Sequence, residues 1–288
     1  MQILIILLTL GFTRLWDGAN PLQRDAWYWQ WSDFLRSHAR LAGKPLPRLL
    51  LSVGGPVLAL LVVMGLLAAV SYWLLLPLGV VVLLYSLGRQ TMPEIVDTYT
   101  SACACQDWAF GVEQAAVLGV DGHGLQENDW NNLHKQVLQA AAYRGFEHSF
   151  AVLFWFMLLG PAGALLYRLS RLYCDRFFSD PAVKDEERSD AERLLWLLEW
   201  PCVRLLGISF AVTGNFVGCF RRWRVCFLCT TRTSKEVLYQ SVLGALLMDD
   251  DLQPNPDITR RELSALRGLY NRTFWSWLGI IGIWGILG

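Results

Sequence analysis

The chain lacks an excess of charge of either sign, and it lacks the common catalytic signatures. Twenty-five Lys and Arg residues balance 25 Asp and Glu residues, so the net charge is zero and nothing indicates a nucleic-acid partner. The motifs His-Glu-x-x-His, Gly-x-Ser-x-Gly and the Walker loop are missing. The four histidines are scattered, at His38, His123, His134 and His148. A catalytic site of the soluble-enzyme type is therefore not indicated.

Cysteine spacing does not indicate a metal site either. The sequence has seven cysteines, and Cys226-x-x-Cys229 has no second pair at the spacing of a zinc site. Cys103 and Cys105 are two residues apart, and Cys219 stands alone. We interpret the cysteines as small apolar side chains or free thiols, and we expect no bound metal.

What the chain has in abundance is apolar sequence. Residues 49–87 form a nearly unbroken apolar run without a charged residue. One bilayer crossing takes about 20 residues, so the run predicts two helices joined by a turn near residues 68–72. A buried helical hairpin of a soluble protein would need polar faces that this run lacks. The chain is therefore predicted to be a membrane protein, although 17% charged residues require part of it to face water.

Shorter segments extend this prediction to a polytopic all-α bundle of five or six apolar helices with cytoplasmic helical loops, forming a single membrane domain over residues 1–288. Residues 1–16 predict a short membrane helix or signal anchor, not a cleaved signal peptide. Residues 17–48, rich in Trp and Arg, predict a helix at the membrane interface. The run 150–167 either crosses or turns back at its Gly-Pro-Ala-Gly sequence, and we favour the crossing. Further apolar helices are expected over 194–220 and 273–288.

Residues 88–144 are the largest polar stretch and predict a cytoplasmic helical insertion within the membrane domain. We expect one helix over about Met92–Leu118 and a second over about Trp130–Ala142, opened by an Asn128 or Asp129 cap. Arg221, Arg222 and Arg224 follow an apolar helix, and by the positive-inside rule they predict a cytoplasmic membrane exit.

Ionisable residues at membrane level are candidate ligand-binding residues. Arg144, Glu147 and His148 share one face of a predicted helix, where they could bind an anion or shuttle a proton. A polar cap at the start of a membrane helix is the alternative. Glu199 and Arg204 lie five residues apart in an apolar helix, so they either face a bundle interior or extend to the headgroups.

A second candidate face carries Glu94, Asp97 and Ser101. Its carboxylates could hold Mg²⁺ with a phosphate, although a solvated helix face has the same pattern. If the helices are antiparallel neighbours, Glu94 and Asp97 converge with Arg144 and His148 on one cytoplasm-facing cavity. Such a cavity would suit a phosphate with its metal or a zwitterionic ligand.

Three segments together carry a resemblance that covers nearly the whole chain in order and spacing: LLTLGFTRLW at 7–16, AVLFWFMLLGPAGALLYRL at 151–169 and LLEWPCVRLLG at 197–207. They resemble the AmpE family of bacterial inner-membrane proteins. The resemblance implies a multi-pass inner-membrane protein associated with regulation of AmpC β-lactamase, and a more distant similarity to the CbiB/CobD cobalamin-biosynthesis family.

The CbiB-like resemblance implies a membrane synthase that joins an amino-alcohol phosphate to a corrinoid carboxylate with ATP. Glu147 matches the Glu of that family's central signature, but His148 replaces Asn and no Asp-Gly follows. Trp200, Pro201 and Arg204 match its Trp-x-Pro-x-Arg pattern with Pro one place early. The resemblance therefore implies the scaffold of the synthase, and the synthase chemistry does not carry over to these residues.

We expect a sensor or regulatory component of β-lactamase induction and cell-wall recycling. The alternative is a CbiB-like transferase or ligase acting on an activated carboxylate, and only this alternative implies ATP and Mg²⁺. Whether the chain is an enzyme stays open. The expected partners are the lipid bilayer and, as an open question, another membrane or cytoplasmic protein, with no nucleic acid.

Overall fold

The computed structural model describes residues 1–15, 25–37, 45–87, 92–120, 126, 129–179, 185–226, 232–248 and 256–287, and this part of the chain contains helices and no strand. The prediction of an all-α fold is therefore confirmed. The α-helices are α1 Gln2–Leu15, α2 Ala26–Ser37, α3 Pro45–Val70, α4 Leu75–Ser86, α5 Met92–Cys105, α6 Trp108–Val117, α7 Trp130–Gly145, α8 Ala151–Leu159, α9 Pro161–Ser179, α10 Asp185–Thr213, α11 Phe216–Cys226, α12 Ser234–Leu246 and α13 Pro256–Leu287.

The chain divides into two compact units, each assembled from two stretches of sequence. Unit 1 contains Met1–Arg89 and Ala151–Trp200, and unit 2 contains Gln90–Phe150 and Pro201–Gly288. Helix α10 contributes to both, because the division falls next to its internal Pro201. Most of the polar stretch 88–144 therefore belongs to the same unit as the C-terminal helices. That this stretch is a cytoplasmic insertion in one membrane domain stays a prediction.

The apolar run 49–87 forms two helices, as predicted. Helix α3 ends at Val70, Ser71 is extended, and a 3₁₀ turn over Tyr72–Leu74 leads into α4. Pro45 and Pro47 lie in the first turn of α3, where a missing N–H costs no helical hydrogen bond. The two prolines therefore begin this helix.

Two helices in the described part of the chain are long and apolar enough to cross a membrane: Leu46–Val70 in α3 and Glu186–Thr213 in α10. Only 6% of the apolar window of α3 is buried, against 56% for α10. The apolar helices Gln2–Thr13 and Tyr72–Ser86 are shorter. The sequence predicted five or six helices that cross the membrane. Among the described residues, only two helices meet the length and composition that a crossing requires.

The run 150–167 does not form the single crossing helix that we favoured. Helix α8 ends at Leu159, Gly160 adopts a positive φ of 68°, and Pro161 begins α9. A Cβ added to Gly163 would lie 2.3 Å from the carbonyl oxygen of Trp155, so the backbones of α8 and α9 almost touch at the turn. The chain therefore reverses at this sequence, and residues 150–167 do not form one uninterrupted helix.

The helix expected over 92–118 is also broken in two. Gln106 has a positive φ of 55°, and the Asp107 carboxylate accepts a hydrogen bond from the backbone N–H of Phe110 at 3.1 Å. A side-chain oxygen in this position caps a new helix, α6. The predicted Asp129 cap is confirmed, because its carboxylate accepts from Asn132 N at 3.2 Å. Helix α7 continues to Gly145, past the predicted end at Ala142.

Candidate functional site

Helix α9 is the centre of the polar contacts in unit 1. Its Arg168 donates from Nη2 to Asp25 Oδ2 at 3.1 Å, and Tyr85 donates from its hydroxyl to Asp25 Oδ1 at 3.0 Å. Arg176 pairs with Asp33 and lies 5.6 Å from the ring centroid of Trp29. Arg168 and Arg176 are thus both paired with carboxylates of unit 1.

A partly buried ion pair joins α3 to α10 in the same unit. Arg48 donates from Nε to Glu187 Oε1 at 3.0 Å and from Nη2 to Glu187 Oε2. Tyr173 of α9 donates from its hydroxyl to Glu187 Oε1 at 2.5 Å. Burial, and then the adjacent Glu187 carboxylate, raise the pKa of the Tyr173 hydroxyl above its usual range, so it stays a donor. Both carboxylate oxygens of Glu187 are satisfied, which is what a charge at 2% exposure requires.

The candidates Glu199 and Arg204 are both buried, at 3% and 5% exposure. Glu199 belongs to unit 1, where its Oε1 accepts a hydrogen bond from the Tyr167 hydroxyl at 3.3 Å. Arg204 belongs to unit 2. Neither side chain is exposed enough to extend to the lipid headgroups. Of the two alternatives, an orientation towards the protein interior therefore describes both residues better.

The candidates Arg144, Glu147 and His148 lie at the end of α7 and in a π-helical turn over Phe146–Phe150. Glu147 is buried at 4% exposure, whereas Arg144 and His148 are half-buried. A methyl group at Gly119 would lie 3.4 Å from Arg144 Nη2, so this guanidinium extends to the end of α6. The π turn has more residues per turn than an α-helix, which changes the faces that these side chains share. Such turns frequently occur at functional sites.

Of the two candidate carboxylates of α5, the structure describes the side chain of Asp97. Asp97 is exposed, and its backbone carbonyl accepts hydrogen bonds from the hydroxyls of Thr100 at 2.8 Å and Ser101 at 2.9 Å. The Glu94 side chain lies outside the described residues. A shared cavity of these carboxylates with Arg144 and His148 stays a prediction.

Unit 2 also contains a buried pair that the sequence analysis missed. His134 Nε2 of α7 lies 2.7 Å from Glu262 Oε2 of α13, and the side chains are 7% and 15% exposed. The ring of Tyr99 stacks on the His134 ring at a centroid distance of 6.5 Å. The two residues of the pair are 128 positions apart, and no local pattern connects them. Only the packing of α7 on α13 could have identified this contact.

Among the described residues, no group of three or more His, Cys, Asp or Glu side chains could hold a metal ion. The described free cysteines are Cys103, Cys105, Cys174, Cys202 and Cys219, all buried except Cys105. Burial raises the pKa of the Cys219 thiol to about 11. The Cys226-x-x-Cys229 side chains lie outside the described residues.

Comparison with known proteins gives one family and one distant relative. The model of a family described as "Regulatory signalling modulator protein AmpE" matches residues 1–251. A protein named "Cobalamin biosynthesis protein CobD" from Stutzerimonas stutzeri (strain A1501) is 23% identical over 218 residues, which cover 72% of this chain and 70% of the relative. No solved structure matches the chain.

Proposed function

Because the chain belongs to the AmpE family of regulatory signalling modulators, a family of membrane proteins, we propose that it is a multi-pass inner-membrane sensor or regulatory protein of β-lactamase induction and cell-wall recycling. The family match over residues 1–251 is the observation that carries this proposal. To the family assignment, the proposal adds the role in β-lactamase induction and cell-wall recycling and the presence of more than one membrane crossing.

The exposed surface of α3 supports the membrane part of the proposal. Leu50, Leu58, Val62 and Leu66 are each more than 60% exposed. In water, an apolar stripe of this length would favour aggregation, whereas in a bilayer it faces hydrocarbon. The low burial of α3 also argues against a core helix of a soluble protein.

The ligand-binding part of the proposal concerns unit 2. Arg144, Glu147, His148 and Arg204 are its proposed ligand-binding residues, and the carboxylates of Glu94 and Asp97 are its proposed second wall. Opposite charges on two walls suit a phosphate with its metal, or a zwitterionic cell-wall fragment. Glu199 is proposed as a separate polar residue of unit 1, because its described partner Tyr167 lies there.

Induction of AmpC β-lactamase by a β-lactam, in a host that lacks its own AmpE protein, tests the regulatory role. We expect the wild-type chain to change the induced β-lactamase activity, and Arg204→Leu to lose that effect while it still inserts into the membrane. An induced activity that is the same with and without the wild-type chain would contradict the proposal.

The two-wall cavity has its own test in the same assay. If Arg144 and Asp97 bind one ligand, the effects of Arg144→Ala and Asp97→Ala on induction should be non-additive. Strict additivity would reject a shared cavity. It would leave the regulatory role itself intact.

A CobD-like transferase or ligase is the second candidate, and the similarity to the Stutzerimonas stutzeri protein is the observation that favours it. The missing Asp-Gly after Glu147 and the His148 in place of Asn argue against corrinoid chemistry. Such a synthase requires ATP, whereas a sensor does not. Saturable binding of ATP with Mg²⁺ to the purified protein would favour this candidate, and no binding would exclude it.

A further inference from the structure

Helix α11 is a separate helix and does not continue the apolar helix α10. The backbone breaks at Gly214, and Asn215 accepts a hydrogen bond at its Oδ1 from the N–H of Gly218 at 2.8 Å, which caps the new helix. Asn215 also donates from its backbone N–H to the carbonyl of Ala245 at 2.8 Å, next to the end of α12. The first turn of α11 is therefore held against α12 within unit 2.

Over the described side chains of α11, which end at Arg222, one face of the helix packs against α12. A Cβ on Gly218 would lie 2.5 Å from the carbonyl oxygen of Gly244, so the two backbones approach closely. Cys219 is completely buried, and its thiol lies 3.6 Å from the carbonyl oxygen of Ser241. Arg222 continues this face and donates to Gln240 Oε1 at 3.4 Å and to the carbonyl of Met248 at 3.3 Å.

On the opposite side of α11, the described apolar side chains are exposed. Phe216, Val217 and Phe220 are 59%, 68% and 43% exposed, and the two Phe rings stack at a centroid distance of 5.8 Å. The same exposed apolar character occurs in the last turns of α10, where Ile208 is 43% and Val212 is 72% exposed. This surface therefore continues directly from a candidate membrane-spanning helix.

A cation follows at the edge of this apolar face. Arg221 is exposed, and no hydrogen bond or ion pair of its side chain is found among the described residues. Its neighbour Arg222 donates hydrogen bonds to protein groups, so the two adjacent arginines have different surroundings. Aromatic and aliphatic side chains beside an exposed cation are characteristic of helices that lie in the interface of an anionic membrane.

We propose that α11 lies in the plane of the membrane interface and binds an anionic bilayer surface. Phe216, Val217 and Phe220 insert among the acyl chains, and Arg221 contacts the headgroup phosphates. Arg222 contributes to the packing of α11 on α12 and makes no contribution to lipid preference. This inference rests on the membrane insertion of the chain, which is part of the proposed function, and it adds a lipid class and the residue that selects it.

The test uses the full chain in nanodiscs with equal amounts of phosphatidylglycerol and phosphatidylcholine. A benzophenone amino acid is introduced at Val217 in one sample and at Leu58, an exposed position of α3, in another. After illumination, mass spectrometry identifies the crosslinked lipid. We expect both positions to crosslink lipid, and the Val217 position to favour phosphatidylglycerol.

Substitution of Arg221, with Arg222 as the matched control, tests which residue determines the lipid preference. One cation near an anionic surface changes lipid binding about fivefold, so Arg221→Gln should lower the ratio of phosphatidylglycerol to phosphatidylcholine crosslinks at Val217 by about that factor. Arg222→Gln should leave the ratio unchanged. An equal effect of both substitutions, or none of Arg221→Gln, would overturn the proposal.

The two probe positions separate this proposal from the proposed function. Lipid crosslinks at Leu58 without lipid crosslinks at Val217 would overturn the assignment of α11 alone. Crosslinks from Val217 to a second copy of the chain would overturn it as well, because they assign this face to a protein contact. An absence of lipid crosslinks at both positions would overturn the membrane insertion on which both proposals depend.

Discussion

Arg48 and Glu187 form a two-point ion pair across 139 residues of sequence, and the hydroxyl of Tyr173 completes the hydrogen bonding of the carboxylate. The contact connects α3, α9 and α10 within unit 1. Because Glu187 is almost fully buried, the loss of its cation would leave a charge without water and without a counter-charge.

We therefore expect Arg48→Met to lower the free energy of unfolding by about 3 to 5 kcal/mol, less a discount for the partial exposure of Arg48. The double variant Arg48→Met with Glu187→Met should be more stable than the single one, because it removes the uncompensated charge. Chemical unfolding in detergent micelles, followed by circular dichroism, measures both. Arg188→Met is the control, since its pair with Glu192 is about half exposed and should contribute under about 1 kcal/mol. Similar losses in Arg48→Met and Arg188→Met would contradict the prediction.

Helices α11 and α12 should not tolerate a methyl group at their closest approach. A Cβ at Gly244 would lie 2.7 Å from the Cα of Cys219, and backbone atoms cannot move aside locally. We expect Gly244→Ala to destabilise the protein by about 1 to 3 kcal/mol. Gly268 of α13 has no atom within 4 Å of an added Cβ, so Gly268→Ala should be neutral or stabilise by up to about 1 kcal/mol. Thermal unfolding in the same detergent compares the two, and equal melting temperatures would be evidence against this packing.

Cys174 should make the stability of unit 1 sensitive to alkali. Burial raises the pKa of its thiol from 9.0 to about 12. The unfolded thiol loses its proton above pH 9 while the folded thiol keeps it, so the unfolded state binds fewer protons there. Stability contributed by Cys174 is therefore complete below pH 9 and is lost as the pH rises towards 12. Cys174→Ala should show a smaller fall in melting temperature between pH 8 and pH 10.5 than the wild type.

Alkylation provides a second measurement on the same thiol. At pH 9 the folded Cys174 should react with iodoacetamide far more slowly than the exposed Cys105, because the thiolate is the nucleophile and access is blocked. Peptide mass spectrometry after short exposures gives both rates. Comparable rates at the two positions would show that Cys174 is not shielded in the folded protein.

The pair of His134 and Glu262 should be energetically coupled. Their side-chain atoms lie 2.7 Å apart between α7 and α13. We expect His134→Gln and Glu262→Gln to be non-additive, with a coupling energy of about 0.5 to 3 kcal/mol in a double-mutant cycle of unfolding free energies. Thr100 with Ser264 is a suitable control combination, since each hydroxyl bonds to a carbonyl of its own helix. Additive effects at His134 and Glu262 would mean that the contact does not contribute to stability.

Local features of the chain were predictable where a single stretch of sequence carries the signal. The apolar run 49–87 is too long for one helix in a bilayer, and the structure divides it close to the predicted turn. Asp129 was identified as a cap because a short polar side chain precedes an amphipathic helix. The break at Gln106 and Asp107 has the same kind of signal, an Asp directly before an apolar segment, and could have been found by it.

The reversal at Gly160 is a feature that local sequence signals could not predict. An apolar segment with Gly and Pro is compatible with a kinked crossing or with a hairpin, because both keep the same residues away from water. The close approach of Gly163 to the backbone of Trp155 requires the two helices to lie side by side. The choice between them depends on how α8 and α9 pack against each other, and the hydrophobic periodicity of the sequence does not determine it.

The sequence by itself determined the helical class, the family, and the presence of apolar surface that water would not tolerate. Only the tertiary structure decided which charges are paired, since Arg48 meets Glu187 and His134 meets Glu262 across more than 100 residues. It also decided that Glu199 and Arg204 are buried, and that Arg222 donates hydrogen bonds to protein groups whereas Arg221 is exposed. The physical reason is that hydrophobic periodicity and helix capping are local, whereas the partner of a buried charge is set by which helices pack together.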